Sequence, residues 1–163
     1  MGKSSLINAL TGRRALARTS RTPGKTRMCT VYAVDGRFYL VDLPGYGYAK
    51  AAKAVRHGLL DLLTQYLSHR TALAGIVWLL DVRRDPSSDD VTMGKIIADH
   101  GLPALVAITK GDKLGRGRRG ERTRAILQTV QIPADQCVVT SARTNEGIQD
   151  LRDSIRAFVA QRG

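Results

Sequence analysis

The feature that most constrains the fold is a regular alternation of strand-like and helix-like segments from residue 37 to the end of the chain. The segments AGIVWLLDV and PALVAITK are continuous apolar runs of strand length, as expected for strands covered on both faces. Apolar residues recur at helical spacing in VRHGLLDLLTQYLSHR, in residues 91–100, in RGERTRAILQTV and in EGIQDLRDSIRAFVAQR. Such alternation predicts an α/β fold, with a mainly parallel sheet between two layers of helices.

The first third of the chain adds a helix and a hairpin to this pattern. SSLINALTG has a helical apolar face and a terminating Gly12. MCTVYAV and RFYLVDL are rich in β-forming residues, and Asp35-Gly36 between them is a typical two-residue hairpin turn. The hairpin is expected to supply one antiparallel edge strand of an otherwise parallel sheet.

Length and composition predict a single cytoplasmic domain over residues 1–163. Apolar residues make up 43% and charged residues 25%, which is typical of a globular protein. The longest apolar stretch, ALAGIVWLL, is much shorter than the ~20 residues of a membrane span, so no membrane partner is expected. Cys29 and Cys137 are far apart and lack a cluster of metal ligands, which favours free thiols in a reducing compartment.

The charge of the chain favours a polyanionic partner. Lys and Arg number 26 against 14 acids, a net charge of +12. Residues 1–34 hold seven basic residues and no acid, and a second basic cluster spans Lys113 to Arg124. Blocks of one sign indicate contact with nucleic acid or ribonucleoprotein, although a solvated basic face is the alternative. Aromatic residues are only 5% of the chain, so contact with the phosphate backbone is favoured over base stacking.

Ligands of such sheets bind at the carboxyl ends of the strands, so polar residues at those ends are the candidate site. Gly2-Lys3-Ser4 matches the second half of the phosphate loop G-x-x-x-x-G-K-[ST], and Ser5 follows in the first turn of the predicted helix. Lys3 would neutralise β- and γ-phosphates, and the Ser4 hydroxyl would hold Mg²⁺. Three residues alone are a weak signal, but a helix start attracts phosphate.

A second polar motif, Asp42-Leu43-Pro44-Gly45, ends the strand FYLVD. A carboxylate at this position matches a Walker B site, which reaches Mg²⁺ through water. The Gly45 N–H could approach a γ-phosphate. An ordinary strand-to-turn Asp-Pro-Gly is the alternative interpretation.

Two further motifs follow the later strands. In Thr109-Lys110-Gly111-Asp112, the carboxylate could accept hydrogen bonds from guanine N1–H and the exocyclic amine, and the Lys110 stem could lie along the base. Thr140-Ser141-Ala142 could meet guanine O6 with its backbone. Each motif alone could be ordinary loop chemistry. Four motifs in this order, each at an element's end, predict a guanine-nucleotide site.

The loop between Gly12 and Met28 is polar and basic without periodicity. Within its last part, Gly24, Lys25, Thr26, Arg27 and Met28 are assigned to nucleotide binding. Thr26 is the candidate for an effector-loop threonine, whose hydroxyl joins Mg²⁺ when a γ-phosphate is present.

The segments GKSSLINAL, ARTSRTPGKTR, VDLPGYGYAK, LLDVRRDPSSDD and TKGD together resemble the EngB (YihA) family of ribosome-biogenesis GTPases. The resemblance covers essentially the whole chain. It implies a three-layer P-loop GTPase (G domain) fold, binding of GTP or GDP with Mg²⁺, and a monomer that associates with the large ribosomal subunit or its rRNA. It also implies a link to cell division and septation. In this scheme Lys3, Thr26 and Gly45 are catalytic, while Ser4, Thr26 and Asp42 hold the metal.

Two departures from the family pattern bear on activity. Thr109 stands where most GTPases have Asn, so a weaker hydrogen bond between loops is expected. The first, central strand and the first half of the phosphate loop are missing ahead of Gly2. Met1 is therefore expected to be a misassigned start, since the family usually has Val there. The alternative is a non-catalytic RNA- or ribosome-binding protein that has lost nucleotide binding.

The residue after Gly45 predicts slow chemistry. Tyr46 occupies the position at which many GTPases place the Gln that orients water, and an aromatic ring cannot do this. Slow GTP hydrolysis, assisted by the ribosome or by a monovalent cation, is the expectation.

Overall fold

The computed structural model describes residues 2–13, 16–17, 29–45, 53–69, 71–101 and 103–161, with the side chains of the helix at 53–69 described from residue 58 onward. The chain divides into two compact units. The larger unit comprises residues 1–19 and 74–163, and the smaller one comprises residues 20–73.

The larger unit is built on a parallel sheet of three described strands, β3 at Ile76–Asp81, β4 at Ala104–Thr109 and β5 at Cys137–Val139. Their order in the sheet is β3-β4-β5. All six residues of β4 are buried, as its continuous apolar sequence predicts for a strand between two neighbours. The parallel register pairs Asp81 with Thr109, so the polar residues that follow β3 and β4 emerge at the same edge.

Helices connect these strands at the predicted places. Helix α3 spans Ser88–Asp99 between β3 and β4, α4 spans Arg116–Val130 between β4 and β5, and α5 spans Ile148–Ala160 after β5. Helix α3 begins with a capping box, in which the Ser87 hydroxyl accepts from the Asp90 N–H and the Asp90 carboxylate accepts from the Ser87 N–H. The predicted strand–helix alternation is confirmed.

The N-terminal helix α1, Lys3–Thr11, belongs to the same unit. Leu6, Ile7 and Leu10 form its buried face, and Gly12 ends it in the left-handed conformation, as predicted. Arg152 of α5 donates to the carbonyls of Ala9 at 2.7 Å and Leu10 at 2.8 Å. These bonds satisfy the last carbonyls of α1 and fix that helix to α5.

The smaller unit contains the hairpin β1–β2 and helix α2, Lys53–His69. Strand β1 spans Thr30–Val34 and β2 spans Phe38–Asp42. The connection is one residue longer than the predicted two-residue turn, because Val34 pairs with Phe38. Cross-strand partners share a face, so this register places the buried Val34 beside Phe38, whereas a two-residue turn would place it beside Arg37.

Asp35 and Gly36 do form the tight part of this turn, with φ of 52° and 64°. The Arg37 N–H donates to the Val34 carbonyl at 3.0 Å and closes the turn. Within the described ranges, no helix is long and apolar enough to cross a membrane.

Candidate functional site

The residue that precedes α1, Gly2, has no side chain with which to cap the first backbone N–H groups of the helix. Gly2 precedes the helix with φ of 81°, a left-handed conformation that glycine tolerates, and the first turn holds no acidic residue. Lys3 and Ser4 lie in that first turn and are half-buried, while Ser5 is exposed. Because helix N-termini attract anions, this end of α1 suits a phosphate group.

The start of α1 lies beside the loop that follows β4. A Cβ placed on Gly2 would be 3.8 Å from Cε of Lys110, so the two motifs are neighbours in space although 108 positions separate them (110 − 2). Thr109 is buried, and its hydroxyl donates to the Leu80 carbonyl at 3.2 Å. That bond ties the end of β4 to β3, at the position where most GTPases have Asn.

Lys110 is held by Asp81, the last residue of β3. Its Nζ lies 2.9 Å from Asp81 Oδ2, and Arg83 donates to both oxygens of the same carboxylate, at 2.9 and 2.8 Å. Asp81 is only 7% exposed. Burial raises its pKa, but the hydrogen bonds from Arg83 and Lys110 outweigh this and hold the pKa well below its usual range. Asp81 is therefore an anion that fixes the Lys110 side chain.

Asp112 presents a carboxylate at the same edge of the sheet. The Ser141 hydroxyl donates to Oδ1 at 2.7 Å and Arg143 Nε donates to Oδ2 at 2.8 Å, while Lys113 Nζ is 3.8 Å away. The hydrogen bonds from Ser141 and then Arg143 lower the pKa of Asp112, despite burial. The carboxylate is therefore ionised at neutral pH, as an acceptor of two N–H groups must be.

Backbone hydrogen bonds hold the loops after β4 and β5 together. The Gly111 N–H donates to the Thr140 carbonyl at 2.9 Å, and the Thr140 N–H donates to the Ile108 carbonyl at 2.7 Å. A Cβ on Gly111 would lie 2.8 Å from Cγ1 of Val139, so a larger residue there would have to displace that side chain. Ala142 is half-buried in the second loop, directly after Ser141.

Arg119 of α4 braces these two loops from the side of that helix. Its guanidinium forms a bidentate pair with Glu146, at 2.8 and 2.9 Å, and donates to the Gly111 carbonyl at 3.4 Å. The Arg119 side chain is only 18% exposed. The Ser141 N–H donates to the Glu146 carbonyl at 2.9 Å, so the brace reaches the backbone beside Ala142.

The smaller unit carries the Asp42-Leu43-Pro44-Gly45 motif at the carboxyl end of β2. Asp42 is 9% exposed, Pro44 is also buried, and Leu43 and Gly45 are half-buried. The five residues Gly24, Lys25, Thr26, Arg27 and Met28 lie outside the described residues, as do Met1 and Tyr46. The predicted roles of these residues therefore stay predictions.

The larger unit thus brings three of the four sequence motifs into one neighbourhood: the start of α1, the loop after β4 and the loop after β5. An ionised carboxylate with neighbouring backbone N–H groups can bind a guanine edge, and an uncapped helix start with a lysine can bind phosphate. The Ser4 hydroxyl and the Asp42 carboxylate are hard oxygen donors of the kind that Mg²⁺ prefers.

Sequence reasoning missed four residues around this site: Asp81, Arg119, Arg143 and Glu146. Asp81 had a signal, since an acid at the carboxyl end of a buried strand is a candidate site residue. The other three act through side-chain pairs between distant positions, and no local pattern marks such pairs.

The family model described as "50S ribosome-binding GTPase" matches residues 1–110 of the chain. Named relatives match at higher coverage. The probable GTP-binding protein EngB of Pelotomaculum thermopropionicum is 42% identical, over 100% of this chain and 83% of that protein. Its namesake from Halothermothrix orenii is 44% identical, over 96% of this chain and 83% of that one.

Solved structures share the fold. The crystal structure of a probable GTP-binding protein EngB has a TM-score of 0.80 at 21% identity, over 98% of this chain and 94% of that chain. Era, in complex with MgGDPNP and a segment of 16S ribosomal RNA, has a TM-score of 0.69 at 22% identity, over 96% of this chain and 52% of that one. The fold is that of a P-loop GTPase G domain, and the chain belongs to the EngB family of GTP-binding proteins.

Proposed function

We propose that this protein is a slow GTPase that acts in assembly of the large ribosomal subunit in the cytoplasm, with a link to cell division and septation. The observation that carries the guanine part is the Asp112 carboxylate, ionised and held by Ser141 beside the loop that carries Ala142. The family model's description as a 50S ribosome-binding GTPase and the net charge of +12 support the ribosomal part.

In this proposal the base binds to Asp112 and to the backbone at Ala142, with the Lys110 stem along the ring and Asp81 holding Lys110 in place. The phosphates bind at the start of α1, where Lys3 neutralises charge. Ser4, Thr26 and Asp42 would hold Mg²⁺, which neutralises charge on the transferred phosphate when bound. The Gly45 N–H stabilises the γ-phosphate, and the lack of a glutamine after Gly45 keeps unassisted turnover slow.

The base site is tested by Asp112→Asn. The change removes two charge-assisted hydrogen bonds of about 1.5–3 kcal/mol each, so the Kd for GDP should rise about 10²–10⁴-fold. Xanthine nucleotides, which carry a carbonyl where guanine carries its amine, should bind the variant better than the wild type. Titration with fluorescent GDP and XDP measures both affinities. An unchanged base preference would show that guanine binds elsewhere.

The ribosomal part is tested by sedimentation with purified large subunits in the presence of GTP or GDP. Co-sedimentation that depends on the nucleotide is expected. Binding that is equal with GTP, with GDP and without nucleotide would contradict a nucleotide-controlled role.

A further inference from the structure

Helix α4 carries an unusual density of arginines on the outside of the larger unit. Residues 116–124 of this helix hold Arg116, Arg118, Arg119, Arg122 and Arg124 against one acid, Glu121. Two of these arginines have internal partners. Arg119 pairs with Glu146, and Arg122 pairs with Asp85 at 2.8 Å and donates to the Val82 carbonyl at 3.3 Å.

Arg116 and Arg124 differ from that pair. Both are exposed, and neither side chain forms a hydrogen bond or an ion pair with any residue that the structure describes. They lie eight residues apart, which corresponds to about 12 Å along the helix axis at a rise of 1.5 Å per residue. Two cations that no described side chain pairs with are therefore presented at this spacing.

Both arginines line a groove of about 570 Å³ between α4 and the segment that contains β5. Arg119 lies on the same side, while Leu127, Ile132 and Pro133 give the groove an apolar wall. No Asp or Glu lines the groove among the described residues. Its volume falls in the range of about 300–1,000 Å³ that is typical of small-molecule sites. An anion with an attached apolar ring fits this combination.

The wall of the groove also holds a hydroxyl without a partner. Thr123 Oγ1 is buried and makes no hydrogen bond within the described part of the chain. Helical threonines usually donate to the carbonyl four residues earlier, as Thr129 does to Ala125 at 2.9 Å. Because this oxygen is buried, it can meet a ligand in the groove only if the Thr123 side chain changes its rotamer.

We infer that this groove binds a single-stranded segment of RNA, with Arg116 and Arg124 on the phosphates and an unstacked base against the apolar wall. An unpaired nucleotide presents both a base and a neighbouring phosphate, whereas an acidic protein side chain presents a negative charge without a base. The inference rests on the proposed function, because a ribosomal partner is what supplies such RNA. Asp112, Ser141 and Ala142 are not among the residues that line the groove, so it is distinct from the site proposed for guanine.

The matched pair Gly120→Glu and Gly120→Gln tests the groove. A Cβ on Gly120 would have no atom within 4 Å, so both side chains can be accommodated. Gly120 is four residues from Arg116 and from Arg124, so a glutamate there can pair with either arginine and cancels one of their two positive charges. Anisotropy of a fluorescein-labelled, mixed-sequence single-stranded oligoribonucleotide should show a Kd about tenfold or more higher for Gly120→Glu than for Gly120→Gln. Equal Kd values for the two variants would overturn the inference.

A second pair of variants separates local contact from bulk charge. Arg116→Ala/Arg124→Ala removes the two groove cations, and Arg37→Ala/Lys95→Ala removes two exposed cations that do not line the groove. The groove variant should lower the slope of log Kd against log salt by about 1.4, from ~0.7 per phosphate contact on a single strand. An equal loss in the Arg37→Ala/Lys95→Ala variant would overturn the inference. Fluorescent GDP should bind all four variants like the wild type.

Two further measurements identify the ligand and keep the inference distinct from the proposed function. A polyglutamate peptide should fail to displace the RNA at equal charge concentration; displacement would point to an acidic protein segment and overturn the inference. If groove variants bind RNA normally while the wild type sediments with large subunits, the groove inference fails alone. If the wild type does not sediment with large subunits, the proposed function fails.

Discussion

At the scale of single residues, the loops after β4 and β5, where we propose that guanine binds, are held by side chains outside the proposed contacts with the base. Arg119 joins the Gly111 carbonyl to Glu146, and Asp81 holds Lys110. Hydrogen bonds to charged groups contribute about 1.5–3 kcal/mol each, so such braces can set the geometry of a loop. A site whose loops are fixed before the ligand arrives binds with less ordering cost.

Arg119→Ala should therefore weaken guanine-nucleotide binding although Arg119 lies behind the loops. Loss of the bidentate pair and of the bond to Gly111 should raise the Kd for GDP about tenfold, which corresponds to ~1.4 kcal/mol. Stopped-flow release of fluorescent GDP should show that most of this change lies in a faster dissociation rate.

The control for this prediction is Arg118→Ala, which removes an exposed arginine from the next position of the same helix. It should leave the Kd for GDP unchanged. Combining Arg119→Ala with Glu146→Ala should give less than the sum of the single effects, because each change breaks the same pair. Additive effects, or a Kd unchanged in Arg119→Ala, would show that the pair does not position the loops.

At the scale of elements, two glycines in helices differ in the space available for a side chain. Gly120 of α4 is exposed, and a Cβ on it meets nothing within 4 Å. Gly94 of α3 is buried, and a Cβ there would lie 2.9 Å from the Val130 carbonyl oxygen and 3.5 Å from the Trp78 ring. Helix propensity alone favours Ala at both positions, so packing decides the sign at Gly94.

Gly120→Ala should stabilise the protein and Gly94→Ala should destabilise it. The first gains about 0.5–1 kcal/mol of helix propensity. The second forces α3 and α4 apart, at a cost of about 1–3 kcal/mol that exceeds this gain. Urea unfolding followed by circular dichroism measures both free energies. A stabilised Gly94→Ala variant would mean that the two helices separate easily.

The sequence could predict those elements whose burial leaves a local pattern of apolar residues. Apolar periodicity located β3, β4 and the helices that connect the strands, because burial of a strand or of a helix face leaves a local pattern. Helix α4 begins at Arg116, three residues before the segment RGERTRAILQTV that predicted it, because its first residues carry no apolar signal. The predicted hairpin register was wrong, because the cross-strand residue pairs, and not the Asp35-Gly36 turn alone, determine the register.

The residues of the candidate site likewise differ in whether a local sequence pattern marks them. Motifs at strand ends are local, so Gly2, Asp42, Asp112 and Ser141 could be chosen from the sequence. The pair of Arg119 with Glu146 joins residues 27 positions apart, and only the packing of α4 beside the loop after β5 brings them together. Residue identity therefore predicts the groups that would meet a ligand better than the groups that hold them in place.

At the scale of the whole molecule, two interpretations of the chain make different thermodynamic predictions. A net charge of +12 suits an RNA-binding protein whether or not it binds nucleotide. A GTP-binding protein must in addition be stabilised by its nucleotide, because a ligand that binds only the folded state adds RT ln(1 + [L]/Kd) to the free energy of unfolding. Thermal unfolding therefore separates the two.

GDP with Mg²⁺ should raise the Tm by about 5–10 °C when GDP is present at 100 times its Kd. The linkage contributes about 2.7 kcal/mol, and for a domain of 163 residues each kcal/mol raises Tm by about 2–4 °C. Differential scanning fluorimetry measures the shift. ADP with Mg²⁺ should leave the Tm of the wild type unchanged, and the same concentration of GDP should raise the Tm of Asp112→Asn by no more than about 2 °C. A Tm that GDP and GTP both leave unchanged would favour the non-catalytic RNA-binding protein, since family membership would then persist without the nucleotide site that defines it.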